Sequence, residues 1–487
     1  MLWAARQAEA GLRGRTFVLL PYQASMNAMQ KRLVRDFAPH RLDDPGSWDN
    51  EVALVHGRSM RTAYERLLER DYAAGQAVTL ARAQNDLAHL NVAPIRVCSP
   101  YQVIRLLFAT KGVEGLILCL NQSRLIFDEI HAYDPEVTAL ALTSARFLAE
   151  HFGARVLFMT ATLPSHLRKV LEEMFAEPTF ITPDEQTLSR PARHRLHLLP
   201  CSVLSDSALE ALRKAAQTKS VLVVVNQIAR AIRLFELLGD LGDSRRLLHS
   251  RFTYQDRFRA EARINPVRGR VLIATQAVEV SLDLDYDTCF SELAPVESLL
   301  QRFGRCNRYG RQDSAADVSV FLQFSPESQR PYFPYEEPHL KQTQAAMVSF
   351  INDHAPGLLD ERLIASLLDS SYPFDLRVKL QSAIATKSEM LKEQFVNPFV
   401  PFGASDVSQT KRLEEQWEEL FDGQEVLPES LLPQASLEPS WLARARYLVP
   451  ISGKTLFRLR RHRKIDWNED LMCHVVKTPY TEYGLEV

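Results

Sequence analysis

The 487-residue chain has no apolar run approaching the roughly 18 residues that cross a bilayer. Its opening stretch, MLWAARQAEAGLRGRT, is charged throughout and has no secretory core. An excess of one charge is also missing. Lys+Arg 58 against Asp+Glu 60 leave a formal net charge of −2, which excludes a wholly basic coat but not local basic patches. The six cysteines, at 98, 119, 201, 289, 306 and 473, form no C-x-x-C, so unpaired thiols in a reducing cytoplasm are expected. There is no internal repeat and no low-complexity tract. With 46% hydrophobic and 24% charged residues the balance is globular, which excludes a largely disordered or fibrous chain. The length corresponds to roughly two to four domains.

What is present is a repeated rhythm. Short apolar runs at Thr16–Leu20, Val52–Val55, Ile95–Cys98, Leu125–Phe127 and Arg155–Met159 alternate with helix-like stretches such as Ala24–Phe37, Met60–Asp71 and Val137–Glu150. A second set follows at Val221–Val225, Leu247–His249, Val271–Ala274, Thr288–Ser291 and Val318–Leu322, with helical stretches at Leu204–Gln217 and Ala229–Leu238. Several runs are continuously apolar, as strands buried on both faces should be. The pattern predicts an α/β chain with two parallel sheets covered by helices. Pro178–Pro200, with prolines at 178, 183, 191 and 200, reads as the joint. Helical periodicity returns through Leu340–Leu368, and Tyr447–Leu456 reads as a strand pair.

Three segments carry chemistry. In LIFDEIHAYDP (Leu125–Pro135) an apolar strand runs into Asp128 and Glu129, with His131 two places on. One carboxylate there can hold Mg²⁺ and the other can activate a water for nucleotide hydrolysis; a solvated turn is the plainer alternative. In LFMTATLP (Leu157–Pro164) Thr160 and Thr162 end a strand, where small hydroxyls can bridge an acid cluster to a second domain or simply cap a helix. In QRFGRCNRYGR (Gln301–Arg311) arginines at 302, 305, 308 and 311 follow a Gln; their spacing of three suggests one helical face, suited to phosphate contact, or else a solvated basic face.

In their order and spacing these segments resemble a superfamily-two helicase, and more specifically the helicase portion of the CRISPR-associated helicase/nuclease of type I interference systems. The matching pieces are LPYQASMNAMQKRL, LVHGRS, CSPYQVIRLLF, FDEIHAYDP, MTATLP, VLVVVNQIARA, LLHSRF, VLIATQAVEVSLDLDYD and QRFGRCNRYGR, spanning Leu20 to Arg311. The resemblance implies two tandem RecA-like domains, over 1–185 and 186–328, then a helical linker over 329–399 and an accessory domain over 400–487. It implies an ATP-dependent translocase on single-stranded DNA, with Mg²⁺. Asp128 and Glu129 would handle metal and water, and His131 would sense the γ-phosphate or link the site to a neighbouring domain. Thr160 and Thr162 would couple hydrolysis to movement. Gln301, Arg305 and Arg308 would reach the triphosphate, and Asp283 would lie near the ribose or γ-phosphate. Ser25, Ser99, Asn226, Thr275 and Gln276 would face the DNA. An RNA-guided surveillance complex is the implied partner, with a separate HD nuclease.

Two expected pieces are missing from the sequence. No G-x-x-x-x-G-K-[ST] occurs; the only Gly-Lys, Gly453-Lys454, lacks the upstream glycine. Met1 is expected to fall inside the helix that such a loop opens, so the chain reads as truncated just after the loop and poor at binding ATP, with two strands lacking a ladder partner where the loop's strand should lie. No His-Asp pair of the family's nuclease occurs either. The alternatives are an inert DNA-binding scaffold or a helicase outside CRISPR. His194, His197 and Cys201 form a weak candidate metal cluster with no evident fourth ligand. Arg458–Lys464, RLRRHRK, is a basic run that could touch nucleic acid or lie in solvent.

Overall fold

The computed structural model describes residues 1–41, 43–44, 47–105, 113–130, 133, 135–161, 163–279, 283–324, 330–354, 356–391 and 423–487. By compactness the chain forms two units. The first comprises 1–163, 170–177 and 375–422, and the second 164–169, 178–374 and 423–487.

The first unit holds five parallel strands: β1 (Thr16–Leu19), β2 (Val52–Val55), β3 (Ile95–Cys98), β4 (Arg124–Asp128) and β5 (Arg155–Met159), in the order β2-β3-β1-β4-β5. β1 and β2 are buried at every position, which explains their unbroken apolar sequences. Ala4, Val18, Met26, Leu33, Trp48 and Ile126 share one cluster. In the helix Pro135–Phe152 every residue from Val137 to Leu148 is buried except Arg146, so it is apolar around nearly its whole circumference. Arg124 is sequestered and donates to Thr16 Oγ1 (2.9 Å) and to the carbonyls of Leu12 (2.9 Å) and Gly14. A Cβ at Gly14 would meet the Gln122 carbonyl oxygen at 2.2 Å, so only glycine fits that approach to β1.

The expected interior gap is not there. β1 pairs directly with β3 and β4, and the ladder is continuous. Its open side is β5, which pairs with β4 alone among the described residues and carries half-buried Val156, Leu157 and Phe158 and exposed Met159.

The second unit holds six parallel strands, β6 (His194–Ser202), β7 (Val221–Val224), β8 (Arg245–Leu248), β9 (Val271–Ala274), β10 (Thr288–Glu292) and β11 (Ala316–Gln323), in the order β6-β11-β10-β7-β9-β8. All four residues of β7 have zero exposure. Burying each such side chain contributes roughly 1.5–3 kcal/mol. The second unit resumes at Pro178, where the joint was expected to begin, but β6 occupies the end of the stretch Pro178–Pro200. Its nine residues mix polar and apolar positions, and Pro200 is tolerated because β6 lies at the edge of its sheet. Leu340–Leu368 is two helices, Glu337–Asp353 and Glu361–Ser371. Between them Gly357 adopts φ +77° and approaches Leu196, whose N–H it accepts (2.8 Å).

The end of the chain adds a mixed sheet, β13-β12-β15-β14, from β12 (Gly423–Pro428), β13 (Val449–Ser452), β14 (Ile465–Asn468) and β15 (Cys473–Val476), and a small pair, β16 (Tyr480–Thr481) with β17 (Gly484–Leu485). The strand pair expected over Tyr447–Leu456 is one strand followed by a helix, Gly453–Arg461. Ser452 starts that helix by accepting the Thr455 N–H. These strands are tied to the second unit's larger sheet. Leu485 N–H donates to the Arg251 carbonyl (2.9 Å), Tyr480 Oη to Asp256 (2.7 Å) and Tyr254 Oη to Glu425 (2.8 Å). The helix Phe374–Leu391, expected as linker, belongs with the first unit, where Lys387 pairs with Glu136 (3.3 Å).

Candidate functional site

Open parallel sheets bind ligands outside the carboxyl ends of their strands, and the predicted residues of the first unit collect at that end. Ser25 opens the helix Gln23–Phe37 after β1, Ser99 follows β3, Asp128 ends β4 and Thr160 follows β5. His131 and Thr162 lie outside the described residues. Asp128 accepts the Glu129 N–H at 3.1 Å. Burial pushes its carboxyl above the usual range, partly offset by that bond. Glu129 sits at φ +53°, in the left-handed region that a side chain disfavours. Such backbone costs on the order of 1–3 kcal/mol and concentrates at functional sites. It turns the chain sharply as it leaves the sheet.

Tyr133 has no role in the sequence reading, yet it belongs here. Its buried hydroxyl has no hydrogen-bond partner, and burial raises its pKa, with Tyr22, Tyr101 and Asp128 adding to the rise. Its presence in the DEIHAYDP block was the available signal.

In the second unit the arginines do not share a helical face. The helix Val296–Phe303 stops at Gly304, because the next residues turn to pair with Tyr286: its N–H donates to the Arg305 carbonyl (2.8 Å), and Asn307 N–H donates back (3.1 Å). Gln301 remains on the helix, half-buried. Arg305 donates to the carbonyls of Val278 (2.9 Å) and Glu279 (2.5 Å). Arg308 lies 3.4 Å from Asp283, so these two predicted residues are brought together, and Tyr309 Oη also donates to Asp283 (2.7 Å). Arg311 stacks over Tyr309.

Arg302, grouped above with the phosphate-contacting arginines but given no separate role by the resemblance, is the centre of a buried arrangement. It has zero exposure and donates to Glu279 (2.7 Å), Ser291 Oγ (2.8 Å), the Glu292 carbonyl (3.2 Å), Asn226 Oδ1 (3.0 Å) and Tyr335 Oη (3.1 Å). Glu292 ends β10 fully buried, pairs with Arg230 at 2.9 Å and accepts the Asn226 N–H at 2.7 Å. Burial raises the carboxyls of Glu279 and Glu292, against the pull of the arginines. A buried charge network of this kind fixes geometry more than it adds stability.

Asn226 and Thr275 are each only 4% exposed, and the Asn226 side chain is committed to Leu293 and Arg302. Their side chains therefore do not form an open face. Gln276, half-buried, donates to the Asn226 carbonyl (3.2 Å). His194 and His197 are not metal ligands together: His194 bonds the Cys306 carbonyl (2.8 Å), and His197 pairs with Asp317 (3.0 Å). No cluster of three or more ligating residues occurs among the described residues. A magnesium ion held by a nucleotide's phosphates needs only one or two carboxylates from the protein, and half-exposed Asp128 fits that need. No described helix is long and apolar enough to cross a membrane.

Two parallel sheets, one with paired acids at the end of β4 and the other with the buried Arg302 network at the end of β10, form an α/β core of the RecA-like kind. A family model described as "CRISPR-associated nuclease/helicase Cas3, C-terminal" matches residues 217–311. The chain is 26% identical over 388 residues to the CRISPR-associated nuclease/helicase Cas3 of Methanothermobacter thermautotrophicus, covering 76% of this chain and 44% of that one. It is 30% identical over 346 residues to the putative Cas3 of Myxococcus xanthus, covering 67% and 43%. The fold matches the crystal structure of T. fusca Cas3 with ADP at a TM-score of 0.66 and 20% identity, over 97% of this chain and 62% of that one. A component of a "CRISPR RNA-guided surveillance complex, pre-nicking" matches at 0.57 and 17% identity, covering 99% and 67%. The chain is thus similar to Cas3 nuclease/helicases, and it spans about half the length of the curated relatives it matches.

Proposed function

We propose that the chain is the motor part of a CRISPR interference helicase, driving single-stranded DNA with ATP. The observation that carries this reading is Asp128–Glu129 at the carboxyl end of β4, with the left-handed turn at Glu129. In this reading Asp128 holds the magnesium that accompanies ATP, Glu129 deprotonates the attacking water, and His131 links the site to the rest of the motor. Thr160 and Thr162 couple turnover to movement. Gln301 and Arg308 reach the triphosphate, with Arg308 held ready by Asp283. Arg305, which grips the carbonyls of residues 278 and 279, aims that segment as well. Ser25, Ser99 and Gln276 offer hydrogen bonds to DNA phosphates, such contacts being independent of sequence. Asn226 and Thr275 support that face from beneath. The surveillance complex would deliver the displaced strand, and a separate HD nuclease would cut it.

The sequence supplies no phosphate-cradling loop. In this reading the loop and its lysine come from outside these 487 residues, and their strand pairs with the open side of β5. The 487 residues alone would then hydrolyse ATP poorly. The missing loop also favours a second reading, an inert DNA-binding scaffold. One assay separates them: single-stranded-DNA-stimulated ATPase of residues 1–487 beside the same protein extended upstream through its reading frame. The motor reading expects turnover only in the extended protein, abolished by Asp128→Ala. DNA binding without turnover in both would establish the scaffold. Turnover by residues 1–487 alone would refute the account of the phosphate site.

A further inference from the structure

The basic run Arg458–Lys464 has no part in that reading. Arg458, His462 and Lys464 line a surface cavity of about 420 Å³ whose wall includes Thr478, Pro479 and Glu486. Thr478 is 7% exposed, and its Oγ1 is buried without a hydrogen-bond partner. No side-chain carboxylate pairs with Arg458, His462 or Lys464 among the described residues, although Glu486 and Val487 also line the wall.

Arg251 lies nearby. Burial lowers its pKa first, and the Arg458 guanidinium lowers it further. Two guanidiniums that repel one another make a place where an anion is stabilised. Cations in the last turn of the helix Gly453–Arg461 also suit its dipole. That accounts for Arg458, but not for Lys464, which follows a left-handed Arg463 (φ +54°) beyond the helix end. Nor does it account for the unpartnered hydroxyl of Thr478.

We propose that this cavity seats one phosphodiester of a single-stranded nucleic acid. Arg458 and Lys464 neutralise it, His462 donates from a ring nitrogen, and Thr478 Oγ1 donates to a phosphate oxygen. The choice of a strand over free phosphate rests on the proposed function; the seat itself does not.

The test is fluorescence anisotropy of a labelled 12-nucleotide oligo-dT with residues 1–487 across a salt series, beside thermal melts in inorganic phosphate. Arg458→Gln with Lys464→Gln should weaken oligo-dT binding roughly tenfold at low salt. It should also flatten the log–log salt slope by about 0.7, the value for one phosphate contact on a single strand. Thr478→Val should weaken binding about threefold with the slope unchanged. Arg32→Gln with Arg35→Gln, an equal charge change on the exposed side of the helix Gln23–Phe37, should alter neither. The proposal is overturned if the double variant behaves as wild type or as the control pair. If oligo-dT does not bind but phosphate raises the melting temperature of wild type and not of the double variant, the seat stands and the strand is refuted. If neither ligand acts, the seat is refuted as well.

Discussion

Replacing Arg302 by methionine removes a guanidinium with zero exposure and the bonds it makes to Glu279, Ser291, Asn226, the Glu292 carbonyl and Tyr335. Methionine fills much of the volume, so the dominant cost is the Glu279 carboxylate left buried without its ion partner. Breaking one side of a buried pair costs about 3–5 kcal/mol. In a unit of roughly 150–250 residues each kcal/mol moves the midpoint by about 2–4 °C, which gives a fall of roughly 6–20 °C in calorimetry. The carboxyl of Glu279 is already raised by burial and held down by Arg302. Without Arg302 it rises further. A raised acid stabilises the fold below its unfolded pKa and loses that contribution as pH climbs through the folded value. Arg302→Met should therefore lose more at pH 8 than at pH 5. Adding Glu279→Met should recover at least half of the loss, because the stranded charge is gone. A fall under about 2 °C, or a double variant as unstable as the sum of the two singles, would refute the idea that this pair is balanced rather than additive.

Two further outcomes can be measured. The Glu297 carboxyl is pushed up to about 7 by burial, and its Oε2 has no hydrogen-bond partner although the residue as a whole is half-exposed. Its stabilising contribution is present below about pH 4.3 and is lost as pH rises through about 7, so Glu297→Gln should flatten the pH dependence of the melting temperature across that window; an unchanged profile would count against the buried acid. At Gly484 (φ +86°) a Cβ would meet the Arg251 carbonyl at 2.6 Å, so Gly484→Ala should cost about 1–3 kcal/mol and speed proteolysis of the last strands; equal digestion rates would show that the contact is not a clasp.

The strands were legible wherever burial on both faces demanded unbroken apolar residues, as in β2 and β9, whose expected and observed bounds coincide. β6 was hidden because an edge strand needs neither continuous apolarity nor freedom from proline. The place of Asp128 and Glu129 at a strand end could be read because the apolar run Leu125–Phe127 stops there, while their chemistry was left open against a solvated turn. The arginine turn was misread as a helical face, since the spacing of three does not reveal that residues 305–307 leave the helix to pair with Tyr286. Arg302 stood in plain view within that motif. What sets it apart from its neighbours is the set of acceptors waiting for it, and these come from residues 226, 279, 291, 292 and 335, far apart in sequence.

The helix Phe374–Leu391 packs with residues made more than two hundred positions earlier, Lys387 against Glu136 among them. On a ribosome the first unit must therefore wait, one helix short, while the whole six-stranded sheet is synthesised. Its partly covered surface, with the open side of β5, is exposed during that interval. No cut between the two sheets can release both as finished pieces. A fragment ending after β11 should behave as an aggregation-prone intermediate, and a chaperone would meet this chain most often at that stage of synthesis.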